Sequence, residues 1–154
     1  MKLRQFAVSI ILLLSSCLAF AGGWDVGPFD NDDALDWVWE LSESNDISVV
    51  EEALQSAIST SGYLEAPTGS IAVAAAEVVA ALKGQPRAQL PDEVTSWVAS
   101  NQLEVDDQLV KAARQAIVHV KNSESSELAQ LWADSEELLN QWHKDLADLE
   151  RRLR

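Results

Sequence analysis

A single cysteine, Cys17, stands in 154 residues. An intramolecular disulfide is therefore excluded, and the fold must be held by its core. Basic residues are also scarce, with 11 Lys and Arg against 25 Asp and Glu and a formal net charge of −14. Nucleic acids and anionic lipid surfaces need a basic face that meets phosphates and releases counterions. Neither suits this chain, and a basic protein or a cation is the natural complement. Long hydrophobic runs are missing too. The run from Phe6 to Leu14 falls short of the roughly 20 apolar residues that span a bilayer, and the alanine-rich stretch from Ile71 to Leu82 is both short and interrupted by Glu77. No transmembrane segment is expected.

The equipment of nucleophilic catalysis is absent as well. There is no G-x-S-x-G turn and no phosphate-cradling glycine loop. His119 falls roughly 200° round its helix from Ile117, on the polar side. His143 is followed by Lys144 and Asp145, which matches no H-E-x-x-H zinc pattern. Both read as surface histidines. Paired carboxylates are the remaining route to acid–base chemistry, but adjacent acids arise in so acidic a chain without any catalytic purpose, so no catalytic residue and no cofactor are expected.

What is present begins with an export leader. Lys2 and Arg4, the apolar run and the small-residue exit Ala19-Phe20-Ala21 have the three parts of a secretory signal over residues 1–21. Cleavage after Ala21 discards Cys17. The order Leu14-Ser15-Ser16-Cys17 also resembles a lipobox, and the alternative is a lipoprotein anchored through an acylated Cys17. The expected location is periplasmic or otherwise exported. Loss of Lys2 and Arg4 leaves 9 basic residues against 25 acidic ones, a net charge of −16 for the mature chain.

Residues 22–154 suffice for one core and one domain. Apolar residues recur with helical spacing and no segment alternates like a strand, so the expected class is all-α: a compact bundle of about six helices with short loops. A first helix starts near Asn31 or Asp32. Its stripe of Ala34, Trp37, Val38 and Leu41 is opposed by Leu35 and Trp39, which predicts a central helix with two apolar faces. A second starts at Ser48, with Glu51 completing a capping box, and ends by Gly62. A third runs from Pro67 or Thr68 to Lys83, closed by Gly84, its alanines forming a buried spine. A short helix begins with Pro91 at its first position, and another spans Asp106 or Asp107 to Lys121. A long C-terminal helix from about Glu127 carries Leu128, Leu131, Ser135, Leu138, Trp142, Leu146, Leu149 and Leu153 on one side, long enough to extend beyond the main body.

The opening of the mature chain, W-D-V-G-P-F-D-N-D-D-A-L-D-W from Trp24 to Trp37, concentrates aromatic and acidic groups. Asp30, Asn31, Asp32, Asp33 and Asp36 offer oxygen ligands to a hard cation. Counting from Asp30, however, the glycine and glutamate that close an EF-hand loop are replaced by Leu35 and Leu41. Helix capping explains the same residues, so no metal site is expected. Trp24 and Phe29 lie beside these charges, and exposed aromatics ringed by charge anchor protein interfaces. The candidate binding surface is therefore Trp24, Phe29, Asp30, Asn31, Asp32, Asp33 and Asp36, with Trp24 expected to face solvent.

The residues Trp24, Gly27, Phe29, Asn31, Asp32, Ala34, Asp36 and Trp37, with Tyr63-Leu64-Glu65-Ala66-Pro67 and the run Ala76 to Leu82, resemble the bacterial domain-of-unknown-function family four-two-five-nine. That resemblance implies a small helical domain and carries no activity, cofactor or substrate; the leader departs from the usual pattern and argues against a cytoplasmic role. The sequence thus points to an exported acidic module that binds a basic envelope partner in the manner of an immunity protein or inhibitor. A carboxylate-dependent envelope hydrolase and a structural helical oligomer are the alternatives.

Overall fold

Seven helices follow one another in the computed structural model, which describes residues 25–154, and no strand occurs among the described residues. They are α1 (Asp32–Glu43), α2 (Ser48–Ser59), α3 (Ala66–Leu82), α4 (Asp92–Asn101), α5 (Asp107–Val120), α6 (Glu127–Ala133) and α7 (Glu136–Arg152). The all-α expectation holds.

The centre is α3. Ala72, Ala74, Ala75, Ala76 and Ala80 carry nothing beyond Cβ and are fully buried, so neighbouring backbones can come close on every side, and α3 touches each of the other six helices. A helix apolar all round belongs inside. Its end is fixed by backbone geometry: Gly84 adopts φ +78°, its N–H donates to Ala81 O at 2.9 Å, and the Gln85 N–H donates to Ala80 O at 2.9 Å. This is a Schellman closure, which needs a left-handed residue and so favours glycine.

Inside that apolar helix sits one charge. Glu77 is 1% exposed, and both of its carboxylate oxygens accept from the Arg152 guanidinium of α7 at 2.8 Å. Arg87, on the connector after α3, adds a contact at 3.5 Å. Arg152 also donates to Gln85 O at 3.2 Å, the residue placed by the Gly84 turn, and to Asp148 at 2.7 Å. Burial alone would lower the Arg152 pKa, but the hydrogen bonds and charges of Glu77 and then Asp148 more than offset it and raise it. In turn the Arg152 hydrogen bond holds Asp148 below the usual aspartate range, against partial burial and with help from Arg151.

Several boundaries differ from the sequence expectations. The C-terminal stripe is not one helix: Ser135 leaves helical geometry and its hydroxyl accepts from the Leu138 N–H, so Ser135 is the N-cap of α7 and no member of the stripe. Nor does the end project, because Trp142, Leu146, Leu149 and Leu153 are buried, whereas Leu138 is exposed. The capping box at Ser48 does not form. Ile47 occupies the cap position, and the Ser48 N–H is held by Asp46 Oδ1 at 3.0 Å. Pro91 is the N-cap of α4, one place before its expected position. Finally, α1 is not central: Ala34, Trp37, Val38 and Leu41 face inward, but Leu35 is only half-buried and Trp39 is exposed.

Arg152→Ala leaves Glu77 buried without its main partner and is expected to cost about 3–5 kcal/mol in urea unfolding. Replacing both ends, Glu77→Leu with Arg152→Met, should recover most of that loss; a single variant as mild as a surface arginine change would show that the pair does not tie α7 to α3. A second expectation concerns acid. Because the Asp148 pKa is depressed by folding, its contribution is present above the unfolded value and disappears as pH falls through the folded one. Asp148→Asn should therefore flatten the stability-versus-pH slope in that acidic window, only slightly because the side chain is half-exposed.

Candidate functional site

The approach to α1 is a loop built for tightness. Asp25 Oδ1 accepts from the Val26 N–H at 2.7 Å, and the Asp30 N–H closes a turn on Gly27 O at 3.2 Å. A Cβ on Gly27 would run into the Asp30 carboxylate, so the turn needs glycine there unless Asp30 swings away. Val26 and Phe29 point into the core. Asn31 then caps the helix, its Oδ1 accepting from the Ala34 N–H at 2.8 Å, while Asp32 and Asp33 set negative charge against the positive end of the dipole.

A second segment is brought beside this loop from far along the chain. The Leu64 N–H donates to Ser125 O at 2.7 Å and the Glu127 N–H to Leu64 O at 2.9 Å, a single parallel bridge between residues 64 and 126. Glu127 Oε2 accepts from the Ala66 N–H at 2.7 Å, satisfying an amide in the first turn of α3 that has no partner within the helix. Tyr63 closes the outside of the joint through its hydroxyl to Gln130 Oε1 at 2.9 Å.

Where these segments meet, the first turns of α1, α3 and α6 surround a cavity of about 370 Å³. Leu128, Leu131, Trp132 and Trp142 supply its apolar lining, and Asp25, Asp33, Glu65 and Glu127 its carboxylates. Of these four acids, Asp33 is half-buried and the others are exposed, so they form a rim. Asp25 and Glu127 already accept backbone N–H groups that shape the loops. Among the described residues no group of three or more His, Cys, Asp or Glu is placed to hold a metal ion.

The outer face of α1 has a different character. At roughly 100° per residue, Asp32, Asp36, Glu40 and Glu43 fall within one quadrant, directly opposite the buried stripe, and Trp39 lies at the edge of that quadrant. All five are exposed, Trp39 at 68%. A single bare indole set in a row of carboxylates is the most conspicuous feature of the described surface.

A family model described as "Domain of unknown function (DUF4259)" matches residues 22–145. The chain belongs to this family. No curated protein and no solved structure matches it.

In this DUF4259 chain the residues expected to form one binding surface separate into three groups. Asp30, Asp32 and Asp36 are exposed, and the last two share the outer face of α1. Asp33 turns to the cavity. Asn31 is buried as a cap, and Phe29, 9% exposed, is a core residue and not an exposed anchor. Trp24 and Cys17 lie outside the described residues. His119 and His143 are both exposed, as expected, with the His143 ring 5.4 Å from that of Trp142.

Sequence reasoning passed over Glu65, Glu127, Trp132 and Trp142 as neighbours of the opening motif, since only the pairing of residues 64 and 126 brings them there. Trp39 was within reach of the helical spacing, because a residue five places from Ala34 lies on the far side of α1.

Asn31→Ala should lower stability by about 1 kcal/mol through loss of the α1 cap. Asp32→Asn should change it by under about 0.5 kcal/mol. Equal costs in chemical denaturation would mean that the cap assignment is wrong.

Proposed function

We propose that this protein is an exported binding module that engages a basic protein of the cell envelope through the outer face of α1. The observation that carries the reading is the exposed Trp39 beside Asp32, Asp36, Glu40 and Glu43. Tryptophan at the edge of a charged patch supplies apolar area, and its face attracts Arg and Lys side chains. The carboxylates steer a basic surface toward it and discriminate against acidic ones. With a net charge of −14, the whole chain adds to the same field.

An immunity-like or inhibitor-like action follows from these parts. A basic partner's arginine or lysine would stack on Trp39 while its neighbours pair with the row of acids, blocking whatever the partner's basic face normally contacts. The leader over residues 1–21 supports an envelope location, either free after removal of the leader or anchored through Cys17. No helix among the described residues is long and apolar enough to cross a membrane. The second reading, hydrolysis by paired carboxylates, gains from Asp33 sharing a cavity with Glu65 and Glu127, but Glu127 is already engaged in holding α3.

The test is a pull-down from periplasmic extract with the tagged protein, repeated at rising salt and with Trp39→Ala and Asp36→Asn/Glu40→Gln. A basic partner should be retained at low salt and released as salt rises. Trp39→Ala should weaken its binding by about 10- to 100-fold, and the double charge variant should weaken it at low salt and flatten its dependence on salt. Capture indifferent to salt, or unchanged by Trp39→Ala, would remove the α1 face from consideration.

A further inference from the structure

The cavity between the first turns of α1, α3 and α6 has hydrogen-bonding groups that the fold does not use. Ser70 of α3 borders it and is 6% exposed. The Ser56 and Thr95 hydroxyls bond back to the carbonyl four residues earlier; the Ser70 hydroxyl makes no such bond and has no other partner among the described residues. Asn31, 8% exposed, commits its Oδ1 to the α1 cap, which leaves its Nδ2 donor over. Among the described residues no side-chain nitrogen or oxygen that is sealed from solvent lacks a partner. These two atoms are therefore reachable, and the cavity is the opening that both residues line. Polar groups on residues this buried are nearly always bonded within the fold, and the exceptions call for a function.

We infer that the cavity binds a small organic ammonium ion: an amine on an aromatic or branched apolar body that also carries a hydroxyl or carbonyl. Each part of that description answers a part of the wall. Leu131, Trp132 and Trp142 offer apolar surface to the body. The Asn31 Nδ2 group can only donate, so the ligand must bring an acceptor, while the Ser70 hydroxyl can donate or accept. At the rim, the Asp25 and Glu127 carboxylates already accept backbone N–H groups, but those of Asp33 and Glu65 have no partner among the described residues and are placed to meet an ammonium. An anion would meet the same rim, and a net charge of −14, as repulsion. The volume of about 370 Å³ lies at the small end of the range of ligand sites, roughly 300–1,000 Å³, which suits a single-ring amine. The site is separate from the proposed partner surface, because Trp39 and the exposed carboxylates of the outer α1 face do not line it.

Tyramine, which joins a ring, a hydroxyl and an ammonium, is the probe, and its binding is followed by titration calorimetry. It should bind at one site. Para-ethylphenol, which lacks only the ammonium, should bind about 10-fold more weakly, and the anion para-hydroxyphenylacetate more weakly still. Asp33→Asn should weaken tyramine by about 5-fold and leave para-ethylphenol unchanged. Ser70→Ala should weaken both by about 3- to 10-fold without lowering the melting temperature, since its hydroxyl has no bond in the fold to lose. Absence of saturable tyramine binding overturns the inference, and so does equal affinity for tyramine and para-ethylphenol. A lowered melting temperature in Ser70→Ala with tyramine affinity intact overturns it too, because the hydroxyl would then belong to the fold. None of these results touches the partner-binding test, which is read on Trp39→Ala.

Discussion

A carboxylate with 1% exposure in the middle of the most apolar helix is the constraint around which the C-terminal half of the molecule is arranged. Glu77 has no access to water, so its charge must be met by protein, and a buried acid left unpaired would cost several kcal/mol. The bidentate Arg152 contact meets it, but only if α7 ends beside the middle of α3. That placement in turn depends on the Ser135 break, which frees α7 to set its own direction, and on the Gly84 turn, which brings Gln85 O within 3.2 Å of the same guanidinium. Arg87 and Asp148 complete the arrangement from the connector and from α7 itself. An ion pair of this kind adds less to stability than an apolar pair would. Its consequence is geometric: one register of α7 against α3 satisfies both charges, and neighbouring registers strand them.

The opening motif depends on that placement indirectly. Trp142 belongs to α7 and forms part of the wall of the cavity reached by Asp25, Asn31 and Asp33. Leu128 and Trp132 come from α6, which is packed against α7 and joined to the segment before α3 by the bridge at Leu64. The start of α3 and the start of α6 thus hold each other through hydrogen bonds at 2.7–2.9 Å, and the approach to α1 meets them at the cavity, while the hydrophobic floor is provided by residues a hundred positions later.

What could be read from the sequence follows from the range of the interactions involved. The helix spacing, the start of α1 near Asn31 or Asp32, the start of α5 at Asp106 or Asp107 and the glycine stop at Gly84 are decided within a few residues, and they appear as expected. The buried spine of α3 was legible because alanine at nearly every position leaves no polar face. Ser48 and Ser135 were misread for one reason, that a serine near a helix start has two competing uses. At Ser48 the neighbouring Asp46 supplied the backbone partner, and at Ser135 the local cap prevailed over a weak apolar stripe. Glu77 was noticed only as an interruption, since nothing local names Arg152, 75 residues away, as its partner. The cavity was hidden for the same reason. Phe29 was expected at the surface and lies in the core, because an aromatic beside aspartates can turn inward while they turn outward.

The acidic dressing of Trp39 also bears on what it would bind. A bare tryptophan on a neutral surface would invite a second copy of the same chain, since burial of that much apolar area is favourable against nearly any complementary patch. Here the indole is approached past Asp32, Asp36, Glu40 and Glu43 on a molecule whose net charge is −14. Two copies meeting face to face at α1 would bring eight carboxylates together with no basic side chain of that helix between them, and the repulsion opposes the hydrophobic gain. Against a basic surface the same charges become attractive. The arrangement therefore favours a basic partner over self-association through this face, which is why the binding reading stands ahead of a helical oligomer built on α1.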